Sequence, residues 1–186
     1  MVWGIRNFWN VVSNAAFVIA GAVAVRSLRW LKSWERTAYL IFLVGVFATA
    51  FGSSYYHLDP NDGTLFWDRL PMTVVFMSLL AMTVGKRAAL WPLILCGMCS
   101  VVYWRMTGDL SAYILVQFVP MMVIPFVGGM RWTWGMIGFY GVAKLLELFD
   151  GQIGRFVATG GHPWKHVAAA VAILCFAASR RPASIH

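Results

Sequence analysis

The chain has 186 residues, of which 60% are hydrophobic and 12% charged, and its mean hydropathy is +0.70. A soluble domain of this size carries about twice that charge, so the composition excludes a soluble globular domain and places the chain in a bilayer. The net charge of +8 does not signal a nucleic-acid partner, because its distribution encodes membrane orientation instead.

Seven apolar segments are predicted, at roughly residues 8–28, 35–56, 66–84, 88–105, 108–128, 133–150 and 161–179. Each is close to the about 17–25 residues a helix needs to cross hydrocarbon. The expected fold is an all-α integral membrane protein, a seven-transmembrane-helix bundle occupying residues 1–186 as one domain. The first segment lacks a basic lead-in and a small-residue cleavage site, so it is read as a span rather than a signal peptide. It carries Asn10, Ser13 and Asn14, with Asn10 and Asn14 on one helix face. These polar groups either bond across helices or support the residues of a site.

The second segment ends in Ser53-x3-His57, and a turn signal, Asp59-Pro60-Asn61-Asp62-Gly63, follows it. Asp68 opens the third segment beside Arg69, where an ion pair and the helix dipole both suit the carboxylate. Gly85-Lys86-Arg87 marks the next break. Cys96 and Cys99 in the fourth segment form a C-x-x-C, and Cys175 lies in the seventh. No second cysteine pair completes a zinc site, so the pair is read as small polarisable residues facing a neighbouring helix. Pro120 and Pro125 predict a kink in the fifth segment, and Gly128-Gly129 ends it. In the sixth, Lys144 and Glu147 are spaced for an internal ion pair, with Asp150 one turn on. The alternative is that Glu147 or Asp150 orients a histidine. After Gly160-Gly161, the seventh segment opens on His162-x3-His166. Pro163 makes His162 the expected N-cap, since a residue before proline avoids the α region.

Trp9, Trp67, Trp91, Trp104, Trp134 and Trp164 lie near segment ends, with Trp30 and Trp34 in the first connection, as an interfacial aromatic belt requires. Nine basic residues fall on one side of the bundle: Arg26, Arg29, Lys32, Arg36, Lys86, Arg87, Arg131, Arg180 and Arg181. Five fall on the other: Arg6, Arg69, Arg105, Arg155 and Lys165. The positive-inside rule then places the N-terminus outside and the C-terminus in the cytoplasm.

Ionisable groups in a bilayer are costly and mark function. Residues four apart share a helix face, so Ser53 pairs with His57, and His162 with His166. The end of segment two and the starts of segments three and seven all reach the outer side, which brings His57, Asp68, His162 and His166 to one depth. Three imidazoles with a fourth position left open is the arrangement of a catalytic zinc site. Asp68 is then placed to hold or deprotonate water, and Ser53 to donate to a developing oxyanion. Asn10, Asn14, Glu147 and Asp150 are the expected supports of the ligands.

These residues resemble the alkaline ceramidase family, within the superfamily that also holds the adiponectin-receptor/hemolysin III proteins. The resemblance lies in Phe8-Trp9-Asn10-x-x-Ser13-Asn14-x-x-Phe17, Ser53-x3-His57, Asp68 and His162-x3-His166, and runs the length of the chain. It implies a seven-helix bundle with intramembrane zinc on His57, His162 and His166, and with Ser53 and Asp68 cleaving the amide of a ceramide-like membrane lipid. It also implies the N-out, C-in topology that the charges predict. Animal members carry a calcium-binding acidic stretch before the first helix, whereas no Asp or Glu precedes Glu35 here, so no calcium site of that kind is expected. The short loops and small size resemble bacterial members, which places the chain in a bacterial cell membrane. The same site also suits a lipid esterase or phospholipase, or a receptor-like protein in which zinc only staples helices, because fold does not dictate function.

Overall fold

The computed structural model describes residues 2–31, 33–127 and 131–180, without the side chains of Arg131 and Trp132. Lys32, the Gly128-Gly129 break, Arg181, His186 and the Arg131 side chain lie outside the described residues. In chain order the helices are α1 (Phe8–Ser13), α2 (Ala15–Ala24), α3 (Ser33–Leu58), α4 (Asp62–Val84), α5 (Leu90–Thr107), α6 (Ser111–Val127), α7 (Arg131–Leu148), α8 (Asp150–Ile153) and α9 (His162–Ser179). Turns of 3-10 helix, Val25–Trp30 and Arg87–Ala89, extend α2 and precede α5. Each predicted apolar segment is helical over most of its described residues. Among the described residues, four helical stretches are long and apolar enough to cross a membrane: Phe8–Trp30, Ser33–Leu58, Asp62–Val84 and Arg87–Thr107. The apolar α6 is shorter.

The outer surface is apolar. Val44, Phe51, Leu95, Met122 and Phe126 point away from the bundle, a pattern that suits contact with lipid and that water would penalise. Trp9, Trp67, Trp91, Trp134 and Trp164 are also exposed, in keeping with a belt, but Trp104 is only 8% exposed. It belongs instead to a small core between α4, α5 and α6, with Val101 and Tyr113. Cys96 and Cys99 are likewise exposed rather than facing a neighbouring helix.

The first predicted span is not one regular helix. Asn14 interrupts it between α1 and α2, and its side-chain Nδ2 donates to the Asn10 carbonyl at 2.9 Å. A short amide that bonds nearby backbone competes with helical continuation. The third predicted span also starts earlier than its apolar run. Asn61 caps α4 in a reciprocal capping box with Thr64, which satisfies backbone donors at the helix start. Asp68 therefore lies in the second turn of α4 rather than opening it. Pro120 and Pro125 sit inside α6, whose helix is assigned continuously through both.

α3 and α4 form the most extensive helix pair, joined by residues 59–61, and α9 packs on α7 and α2. At the α3–α4 crossing, a Cβ on Gly52 would strike the backbone carbonyl of Trp67 and come within 3.3 Å of the Asp68 Cα. Backbone cannot rotate away as a side chain can. G52A is therefore expected to spread the two helices and cost about 1–3 kcal/mol, measured as a lower midpoint of thermal unfolding in detergent. An unchanged midpoint would show that the crossing has slack.

Candidate metal centre

Three histidines from two helices converge at one end of the bundle. His57 stands in the last turn of α3, while His162 and His166 occupy the first turns of α9 one above the other. His57 and His166 are 4% and 3% exposed. The ring centroids are separated by 4.7 Å (His57–His162), 5.0 Å (His162–His166) and 5.4 Å (His57–His166). One nitrogen from each ring can be chosen so that all lie within 4.8 Å of one another, close enough to bind a metal ion.

The donor set suits a small dication. The Nε2 atoms of His57 and His162 are 3.1 Å apart, and the edge of a tetrahedron around zinc with bonds of 2.0–2.1 Å is about 3.3 Å. Two imidazole lone pairs that close repel unless a proton or a cation lies between them. His166 is held in the matching tautomer. The Ser13 hydroxyl donates to the Asn10 carbonyl at 3.0 Å, so its oxygen accepts from His166 Nδ1–H at 2.8 Å. That leaves the His166 Nε2 lone pair for the cluster.

The polar residues of α1 thus act on the site, though not as their spacing suggests. Asn10 contributes its backbone carbonyl, and Asn14, 2% exposed, braces that carbonyl through Nδ2. Ser13 is the direct partner of a histidine. Asn7, ahead of α1, donates from Nδ2 to the His57 carbonyl at 3.0 Å and ties the end of α3 to the N-terminal segment. Hydrogen bonds that orient a metal-binding histidine are worth about 10–100-fold in metal affinity. S13A is expected to weaken metal binding by about that factor with the helical content unchanged, measured by competition with a chelator. Unaltered affinity would remove Ser13 from the site.

His162 is the first residue of α9 and Gly161 is its N-cap, not His162 as predicted from Pro163. The reason is a carboxylate from outside the helix: Asp150 Oδ1 accepts from the Gly161 and His162 N–H groups at 2.7 and 2.8 Å. A carboxylate there satisfies free donors and complements the helix dipole. Gly160 permits the approach, with φ +70 and no Cβ to meet Asp150 Oδ1 at 2.6 Å. Asp150 therefore orients a histidine through its backbone. Glu147 does otherwise: it accepts from Lys144 at 2.7 Å, as expected, and from Lys165 at 2.8 Å, clamping α7 to α9.

Ser53 of α3 and Asp68 of α4 come together across the crossing of the two helices. Both line a cavity of about 400 Å³ with the three histidines, Tyr113, Gln117, Tyr140 and Lys165. An apolar pocket of about 110 Å³ adjoins it, lined by Phe42, Val46, Phe76, Leu79, Met121, Ile173 and Phe176. Phe17, Thr49, Met72, Tyr140 and Ala169 belong to both walls. The polar chamber and the largely apolar pocket thus share a wall. Arg69 also lines the chamber; in place of an ion pair with Asp68, its guanidinium stacks 4.2 Å from the Trp104 ring centre and 5.1 Å from that of Tyr113. Asn7, Lys165, Arg69 and Tyr113 went unassigned to the site from sequence, whereas Ser13 belongs to the polar cluster of the first segment, for which support of a site is one of the two readings.

No protein-family model matches the chain, and no curated protein matches its sequence significantly.

Proposed function

We propose that this protein is a zinc-dependent intramembrane hydrolase that cleaves the amide bond of a ceramide-like N-acyl lipid. The supporting observation is that three convergent histidines, Ser53 and Asp68 line one cavity beside an apolar pocket. The apolar pocket takes the acyl chain, which sets the scissile carbonyl in the polar chamber.

His57, His162 and His166 would hold the zinc. Bound there, zinc supplies a Lewis acid that polarises a carbonyl and makes water acidic near neutral pH. Asp68 takes a proton from the attacking water as the C–O bond forms, and returns it to the nitrogen as the C–N bond breaks. Ser53 holds the Asp68 carboxylate in place until that proton arrives. Its hydroxyl then turns to the carbonyl oxygen and stabilises the developing charge. The products are a fatty acid and an amine.

In the same reading all seven apolar helices cross the bilayer, with the N-terminus outside, the C-terminus cytoplasmic and the metal site towards the outer face of a bacterial cell membrane. The excess of basic residues around the first and third connections supports this orientation.

The test is a lipid panel. Purified protein, its zinc measured by elemental analysis, is expected to release free fatty acid from ceramide or another N-acyl lipid. Cleavage of diacylglycerol or phospholipid alone would make it an esterase. Stoichiometric zinc with neither amide nor ester cleaved would leave a metal-stapled bundle and end the enzyme reading.

A further inference from the structure

The wall of the polar cavity carries Arg69, Lys144 and Lys165 against the carboxylates Asp68 and Glu147. Glu147 is shared by both lysines, and Asp68 lies beside Ser53. Arg69 makes no ion pair within 4.0 Å among the described residues, and its Nη1 is buried without a hydrogen-bond partner. Among the described residues the guanidinium is held by ring faces, those of Trp104 and Tyr113. Stacking compensates the charge through the plane of the group but leaves its edge, a planar fork of N–H donors, unused. A buried donor without a partner is costly, and the costliest donors to leave so are charged ones.

We infer that the edge of Arg69 is a binding site for an anionic group on the lipid, a carboxylate or a phosphate carried close to the amide. The inference rests on the proposed hydrolase reading and narrows its substrate to acidic N-acyl lipids. A neutral sphingoid head would leave the fork unpaired. Carboxylate and phosphate both offer oxygen pairs that a guanidinium binds with two parallel hydrogen bonds. Because Arg69 directly follows Asp68 in α4, the anion would be held beside the carboxylate that handles the proton.

Binding tests this without turnover. Full-length protein as purified, in lipid nanodiscs, is titrated by calorimetry with decyl phosphate, decanoate and decanol. R69Q is expected to weaken at least one anion by about ten-fold, the worth of a charged hydrogen bond, and to leave decanol within about two-fold. The anion with the larger loss identifies the head group. R69K keeps the charge but not the stacked fork, and is expected to weaken the same anion by at least about three-fold; it decides the matter if R69Q does not fold. An anion-specific loss of about three-fold or more in either variant upholds the site. A smaller loss, or an equal one for decanol, overturns it. Because no hydrolysis is read, failure here leaves the enzyme reading to the lipid panel.

Discussion

H57A is expected to lower metal affinity by well over about 100-fold, since even residues that only orient a ligand are worth 10–100-fold. The purified variant should therefore contain almost no zinc. The reasoning is geometric. His57 is the single histidine of the cluster from α3, and the other two come from adjacent turns of α9. Without it, His162 and His166 remain as a two-nitrogen site on one helix, which closes no link between separate parts of the chain. Binding that joins distant segments adds its free energy to the stability of the fold, so zinc should raise the thermal midpoint of the wild type and not of H57A. C96S serves as the control, because Cys96 is exposed on α5, and it should keep full metal content. Zinc retained at wild-type stoichiometry by H57A would mean that the cluster is not the metal site.

The histidine cluster was legible in the sequence because the relation of its members is local. Spacings of four place Ser53 with His57 and His162 with His166 by helical geometry alone, and crossing parity put the two pairs at one end. Asp68 was found by the same parity, although the start of α4 was misplaced: the capping box at Asn61 lies among polar residues outside the apolar run. What was not legible depends on contacts between helices remote in sequence. Trp104 looked interfacial because it lies near a helix end, yet it is buried as a platform for Arg69, 35 positions earlier. Asp150 was recognised as a support, but its mode of action, accepting from the backbone of His162, needs the turn at Gly160 to bring the chain back. Spacing favoured Asn10 and Asn14, which share a helix face, over Ser13 in the same cluster, and only the approach of α1 to α9 selects Ser13. Hydrophobic runs report length and depth. They carry no information on which faces meet.

D68N is the variant that separates a catalyst from a staple. Asparagine keeps the size of the side chain, so the α3–α4 crossing should survive. It cannot take up a proton. If Asp68 is the acid–base group, fatty acid release should fall by about 10²–10⁴-fold, while zinc content and thermal midpoint stay near wild type. Loss of zinc from D68N would instead make the carboxylate part of the metal-binding set. Turnover within about three-fold of wild type would require another base, because removal of a positioned proton acceptor costs at least about 100-fold. Glu147 is the other carboxylate in the chamber wall, but Lys144 and Lys165 occupy its two oxygens. An acceptor engaged twice by ammonium groups is a weak base. Of the two carboxylates that line the chamber, Asp68 is therefore the one whose loss is expected to stop proton transfer.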